Sequence, residues 1–248
     1  MKMTKKLCLL LFLVCSVTAA MAQVNGKEMK YGGHTYTVDG KIKRDAVGAV
    51  GSAIGSAFGL GNKVKVNRPT ATVTFTNVPS NYEEFEAVYT QFLGKTIHGT
   101  AAMIPMAIEM YARDAEVGRQ CFELICNSQA TVSGIIRILK EKLPANSDYS
   151  DSYSQRYMAA ALLKGAKDKN AYTPDYPYTV EMCRSVNDPQ EVTGGVDTFI
   201  YILAKGWDTE QRQVEIFKGY DDDLYKVYNC PSCYTQCKNI RGTWKGLK

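Results

Sequence analysis

Between residues 82 and 165 the apolar residues recur at helical spacing, and after Lys169 they alternate. That change of period constrains the fold more than any other feature of the chain. Tyr82, Phe85, Tyr89, Phe92 and Leu93 share one helix face, with Gly94 as its stop. Ser80-Asn81-Tyr82-Glu83 reads as the capping box before it. Residues 100–113 are apolar nearly all round, as in a helix surrounded by others, and Pro105 is expected to start or kink it. Three more helices are expected. They lie near 115–126 (Val117, Cys121, Leu124 and Ile125 inward), 131–143 (Ile135, Ile136, Ile138, Leu139 and Leu143 inward) and 151–164 (Tyr153, Tyr157 and Ala161). Strands follow at 178–182, 198–204, 213–218 and 224–228, with Gly219 to Asp222 as a turn. The stretch 198–204 (TFIYILA) is apolar on both faces, which predicts a central strand. Helices and then strands predict an α+β fold. About five helices come first and pack on an antiparallel sheet of four to five strands, with 71–78 (ATVTFTNV) as a further strand.

The amino terminus has a different character. Lys2, Lys5 and Lys6 precede the unbroken apolar run 7–17, and Ala20-Met21-Ala22 closes the segment in the form a signal peptidase cuts. The run is about half the ~20 residues a membrane-spanning helix needs, so a cleaved leader over 1–22 is expected and no transmembrane anchor after cleavage. Gln23 would begin the mature chain. Cleavage removes three lysines and no acids, taking the net charge from +5 to +2. So small a charge gives no footprint for nucleic acid. Residues 23–69 are polar and glycine-rich, with a short β-like stretch at Thr35–Val38 before an Asp39-Gly40 turn signal. Within them, Gly51, Gly55 and Gly59 recur every four residues in the segment 46–60. A loose linker and a close-packing helix that touches the envelope both fit that pattern. The α+β domain is expected over 70–229 and a Cys-rich tail over 230–248.

Six cysteines remain in the mature chain, an even number suited to disulfides in an exported protein. Cys121 and Cys126 lie too far apart on a helix to bridge, since disulfide Cα atoms must come within ~7 Å. Cys230, Cys233 and Cys237, with Cys183, are the disulfide candidates. Zinc binding, thiol exchange and free thiols are the competing readings of that motif. His34 and His98 are the only histidines, and no Gly-x-Ser-x-Gly, His-Glu-x-x-His or phosphate-loop pattern accompanies them. Asp221-Asp222-Asp223 reads as a solvated turn rather than a calcium loop. No catalytic residue, metal site or cofactor is expected. Tyr149, Tyr153, Tyr157, Tyr172, Tyr176 and Tyr178 crowd into one stretch. They are either a binding surface or the seal between helices and sheet.

Four stretches carry a resemblance. They are 78–85 (VPSNYEEF), Leu93-Gly-Lys-Thr96 with 99–103 (GTAAM), 109–113 (EMYAR) with Gly118, and 172–178 (YTPDYPY). Together they resemble an uncharacterised domain family of exported proteins from Bacteroidota-type bacteria, over about 70–229. The resemblance implies export and an α+β unit, and assigns no activity to any residue. The expected function is therefore that of an exported protein, periplasmic or at the cell surface, whose domain binds a protein, glycan or envelope component without catalysis. An envelope hydrolase working through acidic residues, and an envelope-associated protein using 46–60, are the alternatives.

Overall fold

A computed structural model describes residues 23–25, 27–40, 71–143, 155–184, 190–207, 209–235 and 237–248. The leader 1–22, the segment 46–60, Tyr149, Tyr153 and the beginning of the expected fifth helix lie outside them.

Nine strands form one antiparallel sheet among the described residues. They are β1 (Gln23–Asn25), β2 (Glu28–Tyr31), β3 (His34–Gly40), β4 (Ala71–Phe75), β5 (Tyr178–Arg184), β6 (Gln190–Val192), β7 (Gly195–Leu203), β8 (Gln211–Gly219) and β9 (Lys226–Asn229). Eight of them run across the sheet in chain order, and β6 pairs with the start of β7 beside β5. Five helices enter between β4 and β5, which are themselves paired neighbours. These are α1 (Tyr82–Gln91), α2 (Ile97–Arg113), α3 (Ala115–Ile125), α4 (Gln129–Lys142) and α5 (Met158–Ala161).

The α+β class stands, but the order and size of the sheet need correction. Four strands precede the helices, and the total is nine rather than four to five. The physical reason lies in a stretch whose polar residues mask its alternation. Gly32 and Gly33, at φ +57° and +84°, turn β2 into β3 in a conformation glycine adopts without strain. Met29 and Tyr36 face each other across that hairpin and are fully buried. Tyr36 in turn lies opposite Phe75 of β4. Asp39 and Gly40 end a strand rather than turning it.

Alternation then sorts the sheet into two faces. Met29, Tyr36, Val73, Val180, Ile200, Ile202, Val214 and Ile216 are buried in one core with the helices. On the other face, β3 to β5 present threonines, with Thr37 opposite Thr74 and the Thr74 and Thr179 hydroxyls 3.3 Å apart. The helix α2 is buried from His98 to Ala112, as its all-round apolar sequence requires, and runs unbroken through Pro105. It is packed closely by α3, where an added Cβ at Gly118 would overlap the Tyr111 backbone.

The start of α1 sits one residue later than the capping-box spacing predicts. Asn81, not Ser80, is the N-cap, and its Oδ1 accepts the Glu84 N–H at 2.9 Å. Glu84 reaches back to accept the Ser80 N–H at 2.8 Å.

The carboxy-terminal residues belong to the core. Trp244 is buried, and the Val78 N–H donates to the Lys248 carbonyl while the Lys248 N–H donates to the Tyr178 hydroxyl. Among the described residues no helix is long and apolar enough to cross a membrane.

Candidate binding face

Strands β7 and β8 pair over nine residues and are the longest pairing in the sheet. The β7 residues Thr198, Ile200 and Ile202 turn inward, so Asp197, Phe199, Tyr201 and Leu203 turn outward. On β8, Val214 and Ile216 turn inward and Gln213, Glu215 and Phe217 outward. Phe199, Tyr201, Leu203 and Phe217 are half-buried, yet none belongs to the core or packs against it. Four large apolar side chains therefore lie together on the side of the sheet away from the helices.

The pairing register sets two carboxylates among them. Asp197 lies opposite Phe217, and Phe199 lies opposite Glu215. Acids occupy one diagonal of this square and rings the other, within reach of each other across the ladder. Asp197 is 9% exposed, and its Oδ1 is buried with no hydrogen-bond partner among the described residues. Burial pushes the Asp197 carboxyl above its ordinary range. Burial and the charge of Asp197 push Glu215 the same way. The Phe217 ring lies over Gly195, where an added Cβ would overlap it. Val192 of β6, opposite Gly195 and 37% exposed, extends the apolar strip. This arrangement can hold a ligand against flat apolar surface and offer it carboxylate acceptors.

The tyrosines expected to bind are placed differently. Tyr157 and Tyr172 stack in the core with ring centroids 4.6 Å apart. The Tyr172 hydroxyl is 2.9 Å from the Gly206 carbonyl and 2.6 Å from that of Lys238. Tyr178 is buried beside Phe75. Of the four described, only Tyr176 is exposed, at 60%. The buried three seal the seam between helices, sheet and tail. Tyr149 and Tyr153 lie outside the described residues.

The tail cysteines lie in the core. Cys183, Cys230, Cys233 and Cys237, like Cys121 and Cys126, are buried and carry no disulfide in this structure. Other contacts hold the tail in place. Gln155 binds it through its Nε2 to the Cys237 carbonyl and its Oε1 to the Cys237 N–H. Arg241 donates its N–H to the Asp168 carbonyl. Burial raises the thiols, Cys233 and Cys237 to about 12. Among the described residues no three His, Cys, Asp or Glu side chains gather as a metal site.

His34 Nδ1 lies 2.6 Å from Glu84 Oε1, and the Tyr36 hydroxyl donates to the same oxygen at 2.8 Å. That cluster docks the β2–β3 hairpin on α1. His98, the second residue of α2, is buried.

The outward residues of β7 and β8 were not singled out by sequence reasoning. Their signal was the second apolar face of 198–204, which that reasoning attributes to a central position in the sheet.

A family model described as a domain of unknown function (DUF6935) matches residues 77–241. No curated protein and no solved structure matches the chain.

Proposed function

Since the chain belongs to this family of domains of unknown function, we propose from its geometry that it is an exported binding domain without catalysis. The outer face of β7 and β8 holds the partner, a protein, glycan or envelope component. One observation carries the reading: Phe199, Tyr201, Leu203 and Phe217 line the outer face off the core, beside Asp197, whose buried Oδ1 has no hydrogen-bond partner among the described residues. Among the described residues no core side chain packs on this cluster, and it holds a buried acceptor without a match, both features of a surface that meets a partner. Export is supported by the lysines, apolar run and Ala20-Met21-Ala22 of the leader.

The test uses the mature chain beginning at Gln23 and its Phe199→Ser/Tyr201→Ser variant, each probed with glycan arrays and displayed peptides. Binding by the wild type and its loss in a variant of unchanged melting temperature supports the reading. Equal binding by both overturns it. Cell fractionation with terminal sequencing tests the other half, and intact protein starting at Met1 in the cytosol would sink export. A second reading, hydrolysis by paired acids, draws on the proximity of Asp197 and Glu215. It requires turnover that vanishes in both Asp197→Asn and Glu215→Gln.

A further inference from the structure

Among the described residues, the charge left without a partner on the binding face is of one sign. Asp197 and Glu215 sit on one diagonal of the β7–β8 ladder, and neither has a cation beside it among the described residues. The basic residues of β8 and β9 are engaged elsewhere, and Lys226, the register partner of Phe217, donates to the Leu124 carbonyl and lies over the Tyr89 ring. Arg212 lies over the Trp207 ring at 4.1 Å and Lys218 over Tyr225 at 4.9 Å. Lys164 is paired with Glu181 at 3.1 Å. The missing complement is positive. A neutral sugar would donate hydrogen bonds but leave two like charges uncompensated on an apolar surface.

We infer that the partner is a polypeptide that sets an arginine or lysine side chain on Asp197 and Glu215, between the rings of Phe199 and Phe217. The inference rests on the binding-face reading and deepens it. Both rings offer their π-systems to a cation, and guanidinium suits the site best because it stacks on rings while its fork meets carboxylates. A small amine would not suffice. The outward residues from Phe199 to Leu203 cover ~13 Å of strand, so apolar neighbours of the cation are needed over Tyr201 and Leu203. The central part of β7 is paired on both sides, by β5 and β8, so the peptide docks face-on through side chains rather than by adding a strand.

The experiment selects displayed random heptapeptides on the immobilised mature chain, with counter-selection on the Phe199→Ser/Tyr201→Ser variant. An enriched peptide and its copy with citrulline or acetyl-lysine replacing the cation are then titrated by fluorescence anisotropy. The titration covers wild type, Asp197→Asn and Glu215→Gln, each checked by thermal melting. Enriched peptides are expected to carry Arg or Lys beside apolar residues. The neutral copy and either carboxamide variant should bind at least about tenfold more weakly, and added salt should weaken the wild-type complex. Enrichment of peptides without a cation, or equal affinity of the neutral copy, overturns the inference. If such neutral peptides still need Phe199 and Tyr201, the binding face itself survives. Peptides that bind the double-serine variant as well as wild type overturn both.

Discussion

Glu84 shows how much one side chain can hold. Its buried carboxylate accepts from Tyr36, contacts His34 and caps α1 through Ser80, joining the first hairpin to the first helix. Glu84→Ala strands those groups and should cost about 3 kcal/mol, lowering the melting temperature by roughly 6–12 °C. A differential-scanning measurement checks it. The cysteines make a separate statement. Burial raises Cys121 and Cys126 to about 12 and Cys183 to about 11, so little thiolate exists near neutral pH. Native mature protein should barely react with Ellman's reagent at pH 8, whereas in guanidinium without reductant all six thiols should titrate. A lower count would show that bridges form.

Asp197 predicts a pH dependence. Its carboxyl is raised in the folded state, so its contribution to stability is complete below the unfolded value near 4 and lost as pH rises through the folded one. Asp197→Asn removes that loss. The variant should resist urea better than wild type at pH 7, and the two curves should converge toward pH 3. A constant gap across that range would refute the assignment.

Among the elements, the α2–α3 crossing is the tightest test. Gly118 meets the Tyr111 backbone with no room for a methyl group, and Gly118→Ala should destabilise by about 1–3 kcal/mol, read as a lower urea midpoint. Helices of this kind were legible from sequence because their periodicity and caps are local. Four of the five following strands were legible for the same reason, and only the short β6 was not. The hairpin β2–β3 was not. Its two buried anchors, Met29 and Tyr36, are separated by glycines and polar residues, and only long-range pairing with β4 shows their alternation. The binding face was half legible. The double apolar character of 198–204 is plain in the sequence, and β7 is interior as expected, paired by β5 and β8, but the pattern does not show which of its faces the helices cover. Among the described residues, the two faces are told apart by burial, with Ile200 and Ile202 in the core and Phe199, Tyr201 and Leu203 outside it.

At the scale of the whole molecule, the tail closes the structure beyond the family-matched residues. Residues 242–248 bring Trp244, 4% exposed, into the core, and Lys248 meets both Val78 and Tyr178. Truncation after Arg241 should therefore lower the melting temperature by about 10 °C or more, since losing a buried tryptophan costs about 3–5 kcal/mol. An unchanged melt would mean that the tail is ornamental.

The insertion of all five helices between adjacent strands also bears on how the chain is assembled. Phe75 and Tyr178 are register partners, so joining them closes a loop of about a hundred residues, an entropic toll that grows only with the logarithm of its length. The delay is more telling than the toll. A chain emerging amino-end first presents β1 to β4 as a half-built sheet, and the free edge of β4 stays unpaired until β5 has emerged. During that interval the strand edge is open to mispairing, and slow, late-committing folding follows from the topology itself.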